Sequence, residues 1–506
     1  AWHARVRLPC PDASFKSITI KTSNRALSLA VWAAENPPDA VRRNRFFKTI
    51  QDDVLTPNRG NTAFGRSTLE ILKVAHAEQI PILSLGRGIY QLGWGAQSKI
   101  IDRSSTPGDS ALAPRITGDK SATTRVLAMA GLPFPINRSV KTSEDALKHA
   151  QQLGWPVVIK PADGERGEGV TVDVSEEELH GAFEKALNAS KNQTVLVEQQ
   201  VEGVCHRIFI AGGDLLYAVK RLPIGVYGDS QRTVADLVSD AYKKEQNRPP
   251  WMRTPIKAID SEARAVLWSM DIDELSIPEE GYFVPLRRIE TTASGGVDVD
   301  VTADVHPENI QIAVEAAHLM GLEVAGVDLI TTDISRPWYE SNAVVNEVNY
   351  APLLGGGTIS RQHISAYLER LLRGNGRIPV EVFIGGEAAL SAAQKRGTEL
   401  AKKYSGVTIT SATHTQLANG RVIPMPLSGL GFRTQALIMR QYVDALVLVV
   451  QDDEVLERGL PLDFYDEIVH VDDQVRSRNT DQHNVSADRL HAIVTILERR
   501  KNKDKK

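Results

Sequence analysis

Apolar and polar positions along this chain follow more than one rhythm, and the changes of rhythm divide it into parts. Residues 17–34 (SITIKTSNRALSLAVWAA) predict a strand running into an amphipathic helix, and residues 63–88 predict a helix followed by the strand IPILSL. Together they suggest a small N-terminal α/β domain over 1–104. The polar stretch RSSTPGDSALAPR at 103–115 reads as a linker or mobile loop. Beyond it, helices at 119–131, 142–153 and 175–190 alternate with apolar strands at 157–160, 194–199, 206–211 and 215–222. Residues 240–258, with RPPWMRTPIK inside, predict an irregular, exposed lid. A helix at 308–320 and strands at 324–330 and 343–348 complete a second part, 105–372, with lid elements at about 155–205 and 225–280. A fresh α/β rhythm fills 373–480: strand 380–384, helix 387–403, strand 444–450, helix 452–459 and strand 467–471. Residues 481–506 read as a polar tail. The expected architecture is α/β and α+β, in several domains.

Bulk properties narrow the function. A length of 506 residues exceeds one ordinary core, so two to four domains are expected. With 42% hydrophobic and 24% charged residues, the composition is that of a soluble globular protein. A net charge of −4 argues against nucleic acid or membrane held by a global positive field. Cys10 and Cys205 are too few and too far apart for a disulfide framework or zinc ribbon, so a reducing, cytoplasmic setting is expected. No apolar run approaches the roughly 20 residues of a membrane span. The chain starts at Ala1 rather than Met, which leaves a processed start open.

The candidate chemistry begins at VVIKPADGERGEGVTV (157–172), where a buried strand delivers Lys160 to a loop holding Gly164, Gly167 and Gly169. Glycines let backbone N–H groups approach a polyphosphate, and the lysine adds a cation. Taken alone, a tight turn is the commoner explanation. Lys120, in the helix-opening segment GDKSATTRVL, is placed to reach the same phosphates. The strand end VLVEQQVEG offers Glu198 and the peptide groups around Gln200 and Val201 to an adenine. Asp328 interrupts the apolar strand VAGVDLI, and Glu347 and Asn349 sit two apart on VVNEVNYAP, so both share one strand face. A carboxylate in an apolar strand needs a partner or a metal. These three form an oxygen set suited to Mg²⁺. In FVPLRRIETTASGG (283–296), Arg287 and Arg288 alternate across a strand, and the inward one would stabilise a phosphoryl group in transit. Ser294, Gly295 and Gly296 in the turn that follows suit an incoming carboxylate. A plain hairpin turn competes at that position.

The order Lys120, Lys160 with its glycine loop, Glu198, Arg287, Asp328 and Glu347-x-Asn349 resembles that of the ATP-grasp superfamily. Five segments narrow the resemblance to cyanophycin synthetase: QLGWGAQSKI, the helix opening at Gly118-Asp119-Lys120, PVVIKPADGERGEGV, SGGVDVDVTADVHPE and GLEVAGVDLITTDISRP. It covers about residues 85–365. The family makes a branched aspartate–arginine polymer with an ATP-grasp domain and a Mur-ligase-like domain. Residues 373–480 look like a degenerate form of the latter, because VEVFI runs into GGEAALS with no lysine in the loop, where a nucleotide-cradling P-loop would carry one.

The resemblance implies an ATP- and Mg²⁺-dependent ligase forming an amide through an acyl phosphate. Lys120, Lys160 and the 163–169 loop would hold the phosphates, and Glu198 the adenine side. Asp328, Glu347 and Asn349 would hold metal, and Arg287 would stabilise the transferring phosphoryl and the oxyanion. Lys220 and Arg221, on a strand of the same unit, are expected to join Arg287 in catalysis, though as neighbours on the strand one of them must point outward. With one degenerate engine, the chain resembles short family members that join β-aspartyl-arginine dipeptides into polymer. Two other readings stay open: a ligase coupling another amino acid to a peptide or small acid, and a non-catalytic partner of a ligase or its polymer. Amino acid, dipeptide or polymer substrates and a homo-oligomer (dimer or tetramer) are expected. His306, before Pro307, is expected to be structural.

Overall fold

A computed structural model describes residues 16–35, 40–56, 65–163, 167–248, 259–288, 296–478 and 483–501. Its contacts divide the chain into two units. One comprises 1–70, 86–88 and 102–367, and the other comprises 71–85, 89–101 and 368–506.

The first unit is organised by a five-stranded antiparallel sheet. Its spatial order is Val297–Asp300, Asp214–Leu222, Val204–Ala211, Val324–Thr331 and Val344–Tyr350. Side chains alternate across such strands, and here the alternation sorts chemistry from packing. Ile208, Ile210, Ala218, Ala325 and Val327 turn to one face, where helix Pro307–Leu319 covers them with Ile312, Ala313 and Ala316. The opposite face carries Arg207, Arg221 and Asp328, which reach one another. His306 caps the covering helix, its Nδ1 accepting from the Glu308 N–H at 3.2 Å, with Pro307 behind it. The structural role expected of it follows.

A second, four-stranded sheet runs Asn137–Val140, Val195–Gln199, Val157–Pro161, Thr171–Val174. Helices Ser143–Leu153 and Leu179–Ala189 cover one face of it, burying Ala146, Ala150, Phe183 and Ala186 against Val157, Ile159, Val195 and Val197. A two-stranded sheet, Gly225–Tyr227 with Phe283–Pro285, packs on helices Val234–Gln246 and Ser261–Ser269.

In the second unit, Val407–Thr410, Ala445–Val450, Val380–Ile384 and Glu467–His470 lie side by side in parallel, and Thr415–Leu417 adds an antiparallel edge. Ligands of such sheets bind beyond the carboxyl ends of the strands, where connections diverge to opposite sides. The first of these strands in chain order, Val380–Ile384, ends at that point.

Several expectations change. Residues 17–20 are helical, not a strand: one helix spans Lys16–Glu35, its Trp32 stacked on Phe46 with ring centroids 5.3 Å apart. The sequence SITI has β-branched residues, but no described strand pairs with it. The 1–104 segment is not one domain. Leu92 and Trp94 are buried, and Trp94 joins Val380, Val382 and Leu446 in the core of the second unit. Residues 240–246 continue helix Val234–Gln246, and 249–258 lie outside the described residues. The strand expected through Arg287 and Arg288 stops at Pro285. The polar tail contains helix Ala487–Glu498, capped by Ser486 and burying Leu490, Ile493 and Leu497. Those three apolar residues at helical spacing were hidden by the charge around them.

Candidate functional site

Strand pairing puts the metal candidates together. Asp328 lies directly opposite Glu347, and Gly326 opposite Asn349. Asn349 donates from Nδ2 to Asp328 Oδ2 at 3.3 Å and to the Gly326 carbonyl at 3.2 Å. Its own carbonyl oxygen takes no part in these two bonds. Two carboxylates and one amide oxygen on adjacent strands fit Mg²⁺, a hard cation that takes oxygen donors. Among the described residues no group of three or more His, Cys, Asp or Glu could hold a metal.

Each carboxylate of this site faces a cation. Lys120, at the first position of helix Lys120–Ala130, reaches Glu347 Oε1 at 2.8 Å. The Asp119 carboxylate caps that helix by accepting from the Ser121 and Ala122 N–H groups, which fixes where Lys120 starts. Lys160 reaches Glu198 Oε1 at 2.7 Å, with both side chains under a tenth exposed. Asn137 donates to the other Glu198 oxygen at 3.2 Å. Glu198 therefore faces Lys160, which couples the expected adenine side to the expected phosphate side. Gln200 accepts from the Asp173 N–H at 3.2 Å, and Val201 is half-buried in the turn that follows.

Below the glycine loop, Asp163 accepts from the Ser190 hydroxyl at 2.8 Å and the Asn192 N–H at 3.0 Å. Gly167 and Gly169 have φ of 75° and 74°. A Cβ at Gly169 would lie 2.6 Å from Ala189 Cβ, so the loop can follow this path only with glycine there. Gly164 lies outside the described residues, as do Ser294 and Gly295. Gly296 is half-buried and leads into strand Val297–Asp300.

The sequence reading missed Arg207. It grips Asp328 with both ends of its guanidinium, Nε to Oδ1 and NH2 to Oδ2 at 2.8 Å. Arg221 adds a longer contact to Oδ1 at 3.5 Å. Burial alone would raise the Asp328 carboxyl, but Arg207 and Arg221 outweigh it and hold the group below its ordinary value. Reciprocally, desolvation opposes the Arg207 charge, and Asp328 overcomes it. The signal available in sequence was a second ionised residue in the apolar strand HRIFIA.

Of the adjacent pair, Arg221 points to the site and Lys220 does not. Lys220 pairs with His206 in register on the other face. There it lines a cavity of about 310 Å³ with Val204, Asp304, Thr332 and Asp333. Burial lowers His206 to about 4, and its Nδ1 bonds the Val204 carbonyl at 2.8 Å, so it is a neutral donor at pH 7. Arg287 is not brought to the carboxylates either. Its guanidinium donates to Asp260 at 2.8 Å and to the Leu286 carbonyl at 2.6 Å, with Glu262 3.5 Å away. Arg288 is exposed beside it.

After strand Val380–Ile384 of the second unit, a backbone donor of the turn is already taken. The Gly386 N–H donates to Asp472 Oδ1 at 2.8 Å, and so does the Gln474 N–H. A Cβ at Gly385 would lie 2.8 Å from the Asp472 carboxyl carbon. An internal carboxylate thus takes the backbone donor that a phosphate would need.

Residues 119–208 match the family model "Carbamoyl-phosphate synthase L chain, ATP binding domain". The cyanophycin synthetase of Geminocystis herdmanii is 33% identical over 298 residues, 58% of this chain and 34% of that protein. That of Trichormus variabilis is 32% identical over 332 residues, 63% of this chain and 36% of that protein. The glutathione biosynthesis bifunctional protein GshAB of Streptococcus agalactiae is 29% identical over 260 residues, 49% of this chain and 34% of that protein. The solved bifunctional glutathione synthetase of Pasteurella multocida aligns with 60% of this chain and 44% of its own, at 28% identity and a TM-score of 0.46. The chain spans about a third of the length of the curated relatives it matches. No helix among the described residues is long and apolar enough to cross a membrane. The stretch that holds Lys120, Lys160 and Glu198 thus matches the model of an ATP-binding domain, and the chain is similar to cyanophycin synthetases over 58–63% of its length.

Proposed function

We propose that this chain is an ATP-dependent carboxylate–amine ligase that works through an acyl phosphate and joins β-aspartyl-arginine dipeptides into a cyanophycin-like polymer. The observation that carries the reading is the strand pair bearing Asp328, Glu347 and Asn349, with Lys120 on Glu347 and the Lys160–Glu198 pair in the ATP-binding domain. In the resting protein these cations neutralise the carboxylates. When ATP binds, Lys120 and Lys160 turn to phosphate oxygens, and Glu198 and the turn at Gln200 and Val201 meet the adenine side. Asp328, Glu347 and Asn349 would hold Mg²⁺, which supplies charge neutralisation at the phosphates.

A substrate carboxylate oxygen attacks the γ-phosphorus and ADP leaves. An amine nitrogen then attacks the acyl carbon, inorganic phosphate leaves with the electron pair, and the nitrogen gives up a proton. Arg221, already on this face, stabilises the oxyanion, and Arg287 joins it by exchanging Asp260 for the phosphoryl oxygens. Gly296 and the residues before it receive the acceptor carboxylate. Residues 373–480 catalyse nothing in this scheme and serve packing, dimerisation or substrate docking.

The test is phosphate release from Mg²⁺-ATP with β-aspartyl-arginine and a short aspartate–arginine primer, added singly and together. Turnover only with both, and a product that grows in mass, is expected. Turnover with a different amino acid and carboxylate instead would keep the ligase and discard the polymer. Silence with every pair would favour a non-catalytic partner.

A further inference from the structure

The carboxylate-bearing face of the central sheet holds two acidic groups that the scheme above does not use, Asp298 and Asp300, and of these Asp300 already accepts from the Thr302 hydroxyl. Asp298 lies in strand Val297–Asp300, two residues after the glycine turn expected to receive the acceptor, and directly opposite Arg221 in the sheet. Opposite charges so placed normally close an ion pair. Here they do not: the Arg221 guanidinium extends toward Asp328 instead, 3.5 Å from Oδ1. Two buried polar atoms are stranded as a result. Asp298 Oδ1 has no hydrogen-bond acceptor role filled, and Arg221 Nε has no acceptor.

A buried polar atom without a partner is costly, and here both fall on one cross-strand pair, which calls for a ligand. The open space lies beside the other carboxylate oxygen, Oδ2. A Cβ built on Gly357 would lie 3.9 Å from Asp298 Oδ2 and meet no other atom within 4 Å. Burial raises the Asp298 carboxyl, and Arg221 and Arg207 only partly oppose it. A positive group arriving there would favour the ionised form.

We propose that the Asp298 carboxylate is the subsite that draws in the amine substrate as a primary ammonium. The proposal rests on the ligase reading and adds to it the residue that selects a cationic amine over an uncharged one. Asp298 is placed beside Arg221 so that the nitrogen it holds lies next to the group that stabilises the oxyanion. Proximity of this kind raises the rate of a bimolecular step. It also explains why an unpaired acid is kept in the sheet when an ion pair with Arg221 was open to it.

The experiment compares wild type with Asp298→Asn and Asp298→Ser, using Mg²⁺-ATP and one carboxylate substrate. Two nucleophiles are used, the cationic amine and uncharged hydroxylamine, which traps an acyl phosphate as a hydroxamate. The ratio of kcat/KM for the cationic amine to that for hydroxylamine should fall at least tenfold in both variants. The loss should sit in the KM for the amine. Because a stranded carboxylate is removed, the unfolding temperature of Asp298→Asn should equal or exceed that of wild type. An unchanged ratio in both variants would overturn the subsite while leaving the ligase standing. No amide and no hydroxamate from wild type with any carboxylate would instead defeat the ligase reading, and the subsite with it.

Discussion

Glu347→Gln should lower turnover by roughly a thousandfold while the protein stays folded. A bound divalent metal contributes several kcal/mol of charge stabilisation in the transition state, and about 4 kcal/mol corresponds to a factor of about a thousand. Glutamine keeps the size of Glu347 and removes the charge that both Lys120 and the metal require. The structural loss is small, because the Lys120–Glu347 pair is partly exposed, at 20% and 32%. Pairs of that kind contribute about 0–1 kcal/mol. Steady-state kinetics against Mg²⁺ concentration, with a thermal melt alongside, checks both halves. A variant that retained more than a tenth of the activity would remove Glu347 from the metal site.

Lys160→Ala should damage stability as well as nucleotide binding. Lys160 and Glu198 are 8% and 5% exposed, and 2.7 Å separates their charged atoms. Removing one partner of a buried pair leaves the other charge uncompensated and costs about 3–5 kcal/mol. Asn137, with its single contact to Glu198 at 3.2 Å, is too weak a substitute for an ammonium. The double variant Lys160→Met with Glu198→Gln should recover most of the lost stability, since neither side chain is then a buried charge, but it should not recover ATP binding. Urea unfolding of the three proteins and ATP titration by calorimetry separate these effects. Equal midpoints for wild type and Lys160→Ala would mean the pair is solvated and not the anchor described here.

The parts of the fold that sequence revealed are those where one period dominates. Strand Val380–Ile384 is fully buried along its length, and the reading VEVFI at 380–384 matches it end to end. Val324–Thr331 and Val344–Tyr350 differ from the readings 324–330 and 343–348 by one or two residues at an end, and their acidic residues stood out because their neighbours were apolar. Pairing was less legible. That Asp328 faces Glu347 needed an antiparallel register, and that Arg207 grips Asp328 joins residues 121 apart. The N-terminal misreading has the same origin. Trp94 is buried with Val380 and Leu446, a contact that no local pattern around 85–100 announces. Asp298 escaped notice for another reason. In VDVDVTAD it looks like one of several surface acids, and only the register opposite Arg221 sets it apart. Arg287 shows the converse: its alternation with Arg288 suggested an inward position, yet Asp260 and Glu262 hold it in the described conformation.

The most direct test of the account follows one oxygen atom. An acyl phosphate forms by attack of a carboxylate oxygen on the γ-phosphorus, so that oxygen leaves with the phosphate when the amine displaces it. Amino acids and short aspartate–arginine peptides carrying ¹⁸O in their carboxyl groups would be incubated with the enzyme, Mg²⁺-ATP and an amine, and the released phosphate weighed by mass spectrometry. The account predicts one ¹⁸O per phosphate for at least one carboxylate substrate, in step with amide formed. Amide formation with unlabelled phosphate, or phosphate released without label for every carboxylate, would contradict it.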